Sequence, residues 1–222
     1  MPDPIEPLTP VGENQVDELG KDWANVPINH LYSSPYVRAL KTAQAIPRYN
    51  SGAPLIIRDY SLREQDYGTE IYKIPYENHA MIREALTGQS PYLSDNPPIR
   101  KHRPPGGGES YEDVAERARR FLVSVVGKHG VELDSDPHHK RPADQPIAEW
   151  FDKRTPHVVV VSHNIFLTEL YEVMEYFNDP TMRRDTDFGL RNAKLFVLVF
   201  HLDRSKHLTP PPPPSAPASP LD

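Results

Sequence analysis

The sequence contains no cysteine. That excludes disulfides, thiolate nucleophiles and Cys-ligated zinc, and leaves any covalent chemistry to Ser, Thr, His, Lys or a carboxylate. No apolar run approaches the ~20 residues needed to cross a bilayer. The opening, Met-Pro-Asp-Pro-Ile-Glu, has neither a basic n-region nor an apolar h-region. A soluble, cytoplasmic protein with no membrane partner is the expectation. Positive charge is also in short supply. Lys and Arg number 25 against 31 Asp and Glu, a net charge of −6, which gives no general attraction to nucleic acid phosphates and argues against a nucleic-acid partner.

Proline, by contrast, is abundant: 26 residues in 222, more than twice the ~5% of average sequences. The excess falls in two places. Residues 209–222 carry Pro210 to Pro214 in a row, with Leu221 as the one residue to bury. They read as a disordered polyproline tail, a spacer or a ligand for a polyproline-binding partner domain. Residues 130–156 replace apolar periodicity with Asp134, Asp136, Lys140, Arg141 and four prolines, and read as a surface insertion. His138 and His139 lie there, but adjacent residues on an extended chain point apart, and no Cys or second His pair is near, so no metal site is assigned. Residues 1–208 then form one α/β domain, the size expected for a single core.

Within that domain the periodicities predict a short strand over 29–33, then a helix opened by Ser34 as cap and Pro35 at its first position. Val37, Leu40, Ala43 and Ile46 form one apolar face of this helix. A second strand spans 54–59. Ser110 and Asp113 match a capping box for a helix over 111–128, with Val114, Ala118, Phe121, Leu122 and Val125 on its buried face. A β-branched strand over 157–161, a helix over 165–177 and a final strand over 194–202 complete the series. Strands apolar on both faces and alternating with helices imply a parallel sheet between helix layers.

In such sheets ligands bind beyond the carboxyl ends of the strands. Three candidates sit there. His163 follows a buried strand and precedes a helix whose first N–H groups lack intrahelical partners, a place suited to an anion; the competing reading is a capping or packing histidine. Arg38 lies in the first turn after a strand, where a guanidinium can grip phosphate through two parallel hydrogen bonds; the competing reading is a solvated surface charge. Glu64 is a candidate general acid or base if burial raises its pKa, and otherwise a loop carboxylate.

Five segments carry a family resemblance in order: Pro7-Leu8-Thr9-Pro10-Val11-Gly12-Glu13-Asn14-Gln15, residues 32–43, Leu62-Arg63-Glu64-Gln65-Asp66-Tyr67-Gly68, Gly108-Glu109-Ser110 and Val161-Ser162-His163. They resemble the successive motifs of the histidine phosphatase superfamily, the phosphoglycerate mutase-like proteins. The resemblance implies a three-layer α/β/α sandwich with a mostly parallel sheet. It also implies no metal or cofactor, and hydrolysis of a phosphomonoester, on a small molecule or a phosphoprotein, through a phosphohistidine. Arg38 then resembles the arginine on the phosphoryl oxygens, Glu64 the residue protonating the leaving oxygen, and His163 the second histidine of the pocket. Asn164 stands where the family usually has glycine. Asn tolerates the left-handed backbone region better than most residues, and its side chain is a candidate phosphate contact.

The same resemblance implies an Arg-His-Gly strand carrying the nucleophile shortly before Leu8-Thr9, and the sequence has no such motif. Lys128-His129-Gly130 imitates it but reads as a helix C-terminus with a glycine stop. His30 precedes its strand's apolar core, at the end away from the pocket. Two readings stand: a truncated phosphatase, or a non-catalytic pseudophosphatase acting as a binding or scaffold protein. Residues 72–105 match the family's variable lid, where Arg100, Lys101 and Arg103 either hold a second anionic group of the substrate or form a solvated basic loop.

Overall fold

Leu31 and Tyr32 are consecutive residues of a strand, so their side chains leave its opposite faces. Both are buried. That requires helices on both sides of the sheet, and the computed structural model, which describes residues 6–89, 99–130 and 156–177, has them. Strand β1 (His30–Ser33) lies between β2 (Ile56–Arg58) and β3 (Val158–Val161), all parallel, in the order β2-β1-β3. Leu31 pairs with Ile56 and Val159, and Tyr32 with Ile57 and Val160.

On the Leu31 side, helices α1 (Pro10–Asp22) and α2 (Val37–Tyr49) pack together. There Leu31 joins Trp23, Val26 and Ile46, with Val159 and Val161 against them. On the Tyr32 side, α4 (Tyr111–His129) and α5 (Asn164–Phe177) pack together, and Tyr32 joins Leu62, Val114, Phe121, Phe166 and Leu170, with Val158 and Val160 against them. The four valines of β3 thus alternate between two cores. Each large side chain so buried stabilises the fold by roughly 1.5–3 kcal/mol relative to exposure. Helix α3 (His79–Thr87) lies apart from both cores and buries no residue. No described helix is long and apolar enough to cross a membrane.

The predicted sandwich of helices around a parallel sheet is therefore present. Several boundaries differ. Helix α2 starts at Val37, not at Ser34-Pro35, and its N-cap is Tyr36, with no side-chain cap bond. Ser34 instead ends β1: its N–H still pairs with Val161 O at 2.9 Å, and its hydroxyl, bonded to His163 at 2.8 Å, accepts from Tyr36 N at 3.3 Å, a turn completed before the helix begins. Helix α1 was not predicted, although Thr9 caps it by accepting from Gly12 N at 3.1 Å and Pro10 occupies its first position. Helix α4 has the expected reciprocal box: Asp113 N donates to Ser110 Oγ at 3.2 Å and Ser110 N to the Asp113 carboxylate at 2.8 Å. It ends at His129 as expected, but Gly130 is extended (φ −62°, ψ 144°) rather than a left-handed stop. The expected insertion, the strand over 194–202 and the tail lie outside the described residues, apart from the insertion's two ends.

The capping box generates a stability prediction. Ser110→Ala removes the acceptor for Asp113 N and should lower stability by about 1 kcal/mol, read as a fall in the urea midpoint with unchanged m-value.

Candidate active site

The three strand ends meet at one rim. Asp59 N donates to Ser33 O at 3.0 Å, Ser34 N to Val161 O at 2.9 Å, and Ser162 Oγ to Leu62 O at 2.6 Å. His163 therefore emerges from β3 directly beside Ser34, which emerges from β1. The imidazole is 6% exposed, shares a hydrogen bond of 2.8 Å between Nε2 and Ser34 Oγ, and lies against the Tyr36 ring at 5.2 Å between centroids. Tyr36 carries Arg38 on its face, the guanidinium 5.7 Å from the ring centroid. Arg38 also reaches Glu6 Oε2 at 3.5 Å.

Glu64 follows the short 3-10 turn Tyr60–Leu62, where the chain doubles back toward β3. It is as buried as His163. Its carboxylate accepts from Gln65 N at 3.0 Å, Phe166 N at 3.3 Å and Ile165 N at 3.4 Å. The last two are N–H groups of the first turn of α5. The anion suited to that helix N-terminus is thus the protein's own glutamate. Remote in the chain, Arg38 and His163 meet on the Tyr36 ring, and Glu64 meets the first N–H groups of the helix that starts directly after His163.

Burial raises the Glu64 pKa above the ordinary carboxyl value, opposed by its three N–H donors and by Arg38. His163 is pushed down to about 3, by burial first and then by the Arg38 and Arg117 cations. The imidazole is accordingly neutral across the physiological range. Burial likewise pushes the Tyr67 phenol up, with the Glu64 charge adding to it.

Asn164 is the first residue of α5 and exposed. It is not in the left-handed region, which among non-glycine described residues only Ala53 occupies; the expected left-handed turn after His163 is replaced by direct entry into the helix, with Leu167 N donating to His163 O at 2.8 Å. Glycine is therefore not required there.

Arg100 and Arg103, for which an anion site and a solvated basic loop are both open readings, each meet carboxylates of the protein itself. Arg100 forms a fork on the buried Glu169 at 2.5 and 3.2 Å, with Glu172 at 3.6 Å. Arg103 pairs with Asp113 at 2.5 Å. Both cations are matched by carboxylates of α4 and α5; Lys101 is exposed.

Arg117 was missed. From the interior of α4 it lies over the Phe166 ring at 5.1 Å, donates to the Arg63 and Ser61 carbonyls, and pairs with Glu109 at 2.9 and 3.2 Å. The other described histidines lie elsewhere. His30 and His129 stack at 3.6 Å at the amino end of β1, where Tyr32 Oη and His129 Nε2 share a bond of 2.7 Å. His157 bonds Pro27 O, His102 bonds Ala85 O, and His79 meets Tyr76. Among the described residues no three His, Cys, Asp or Glu side chains are grouped to hold a metal ion.

A parallel sheet between two helix layers is the architecture of the phosphoglycerate mutase-like class of fold. The comparisons agree. A family model described as histidine phosphatase superfamily (branch 1) matches residues 5–132. Fructose-2,6-bisphosphatase TIGAR of Xenopus tropicalis is 36% identical over 212 residues, covering 82% of this chain and 72% of that protein. Fructose-2,6-bisphosphatase TIGAR B of Danio rerio is 31% identical over 172 residues, covering 72% and 62%. Among solved structures, a Bacillus anthracis phosphoglycerate mutase superposes with TM-score 0.55 at 18% identity, over 78% of this chain and 70% of that one. A mycobacterial glucosyl-3-phosphoglycerate phosphatase superposes with TM-score 0.51 at 23% identity, over 76% and 67%. The chain belongs to the histidine phosphatase superfamily.

The opposed pKa shifts give a signed prediction. Unfolded, His163 takes up its proton near 6.5; folded, it does so only at about 3. Its contribution is therefore complete above 6.5 and lost as pH falls. Glu64, raised, has the opposite sign: its contribution is complete below the ordinary 4.5 and lost as pH rises through the raised value. His163→Gln should therefore lose about 2 kcal/mol less stability than the wild type between about pH 7 and about pH 5, read from urea midpoints at both pH values.

Proposed function

We propose that the chain recognises a phosphomonoester at the Arg38, Glu64 and His163 rim; hydrolysis through a phosphohistidine, the reaction its family implies, would pass the phosphoryl group to an imidazole that the described residues do not supply at that rim, and from it to water. The observation that carries this reading is that Arg38 and His163 share the Tyr36 ring while Glu64 sits on the first N–H groups of the helix that follows His163, in a member of this superfamily. A metaphosphate-like transition state spreads charge over three oxygens, so catalysis needs fixed donors and a proton source more than covalent assistance from many groups. Arg38 supplies a fork for two phosphoryl oxygens. Neutral His163 donates one N–H to a third. Glu64, protonated, passes its proton to the leaving oxygen as the phosphorus–oxygen bond breaks, and Asn164, in the first turn of α5, is the further phosphate contact in this reading. The relatives named fructose-2,6-bisphosphatase make a bisphosphorylated sugar the first substrate to test.

The phosphohistidine route needs a second imidazole, with a nitrogen in line with the leaving oxygen. The sequence holds no Arg-His-Gly motif, and His163 is the one described histidine at the rim. This observation favours a second reading, a pocket that binds the phosphomonoester without turning it over and serves as a binding or scaffold site.

Two measurements separate these. In calorimetry, orthophosphate should bind the wild type and bind Arg38→Ala about ten- to a hundredfold more weakly, the value of a lost charge-assisted hydrogen bond. Turnover of para-nitrophenyl phosphate and fructose 2,6-bisphosphate, abolished in Arg38→Ala, supports hydrolysis; binding without turnover supports the second reading; neither binding nor turnover overturns both. A dianion beside Glu64 favours its neutral form. Orthophosphate binding should therefore take up protons near neutral pH, seen as a binding enthalpy that varies with the buffer's ionisation heat, and Glu64→Gln should diminish that uptake.

A further inference from the structure

The largely buried carboxylate of Glu109 has no part in the proposed chemistry, yet it is bonded to the Arg63 side chain on one side of Glu64 and to the Asp66 N–H on the other. Its Oε1 accepts from Arg63 Nη2 at 2.5 Å and Arg117 Nε at 3.2 Å. Its Oε2 accepts from Asp66 N at 3.0 Å and Arg117 Nη2 at 2.9 Å. Its main chain adds two more bonds, Glu109 N to Asp66 O and Gln65 Nε2 to Glu109 O, both 2.7 Å. Arg117 closes the figure by donating to Arg63 O at 2.9 Å and to Ser61 O. Residues 61, 63, 65 and 66 are all held, and Glu64 is the residue between them.

The two loops approach too closely for side chains. A Cβ at Gly68, where φ is +74°, would lie 2.3 Å from Pro105 O, and one at Gly108 would lie 3.0 Å from Asp66 O. The chain has given up side-chain volume at both places to bring the Glu64 loop and the Glu109 segment into backbone contact. A surface salt bridge would need none of this. The Arg117 and Glu109 side chains are 10% and 16% exposed, and a guanidinium at that depth keeps its charge and needs every donor met.

We infer that Glu109 and Arg117 form a positioning clamp for Glu64, fixing its backbone so that its carboxyl group stays on the N–H groups of Ile165 and Phe166 while facing the phosphomonoester pocket. The inference deepens the reading of that pocket and rests on it for the role of Glu64. The clamp itself does not touch the substrate. A planar fork bonded at once to a carboxylate and two carbonyls fixes an angle as well as a distance, which an ammonium in its place does not do.

The test follows the Ile165 and Phe166 amide resonances by NMR through an acid titration, in the wild type, Glu109→Gln and Arg117→Lys. In the wild type both amides should shift together with the Glu64 carboxyl resonance, and Glu64→Gln should remove that shift. In the two clamp variants the amides should cease to follow Glu64, although the Tyr32 and Phe121 core resonances stay dispersed. Amides that still follow Glu64 in folded variants overturn the clamp, leaving Glu109 and Arg117 a stabilising role alone. Arg117→Lys keeps the buried positive charge, so it carries the test if Glu109→Gln does not fold. Orthophosphate is titrated into the same samples. Absence of binding to the wild type sinks the pocket reading, whereas amides that decouple from Glu64 uphold the clamp whichever way that result falls.

Discussion

A carboxylate cannot be buried in a protein without partners, and the way this chain finds partners for Glu64 organises its functional rim. The ionised group is satisfied by main-chain N–H groups, two of them from the first turn of α5, where the helix dipole adds to the hydrogen bonds. Because α5 begins directly after His163, the same contact that satisfies Glu64 fixes the distance from carboxyl group to imidazole. The helix N-terminus serves first as a structural joint, and through that joint as part of the chemistry proposed for the site.

The second determinant is the electrostatic balance between burial and cations. Arg38 and Arg117 both act on His163 in the direction that burial already takes it, towards the neutral form. Against Glu64, Arg38 and burial oppose each other. One positive field thus keeps the imidazole uncharged while limiting how far the carboxyl pKa rises. Burial alone would move these two groups to their neutral forms without distinction; the arginines separate them.

Much of the architecture is legible from pattern alone, for a physical reason. The valines of β3 and the apolar positions of α2 and α4 face real cores, so their spacing carries the geometry. Helix α3 buries no residue, so its short apolar spacing of Ile82, Ala85 and Leu86 marks no core, and α1, despite the Thr9-Pro10 start, has only Val16 and Gly20 as its buried face. At the site, Arg38, Glu64 and His163 could be singled out because each sits just past a strand. Arg117 could not. It shares α4 with Arg119 and Arg120, and nothing in composition tells which of the three turns inward; in the fold Arg117 is 10% exposed and Arg120 63%. Ser34 reads as a helix cap for a related reason. Its hydroxyl does accept a local N–H, from Tyr36, but in a turn before the helix, and its other partner, His163, lies 129 residues away.

These facts bear on how such a rim would respond to a doubly charged ligand. His163 is held neutral by burial first and then by Arg38 and Arg117; a phosphate dianion would engage Arg38, so on binding that part of the effect weakens and the anion's own field favours proton uptake at both His163 and Glu64. The glutamate is already displaced upward and the histidine far downward, so near neutral pH the carboxyl group is the nearer of the two to taking the proton. In the proposed reaction, such a rim would put its proton on Glu64, assigned to protonate the leaving oxygen, and withhold it from His163, assigned to hold a phosphoryl oxygen. That division of labour needs Glu64 kept on the α5 amides with its loop held on both sides, so that the carboxyl group meets the ligand's charge without moving away from it.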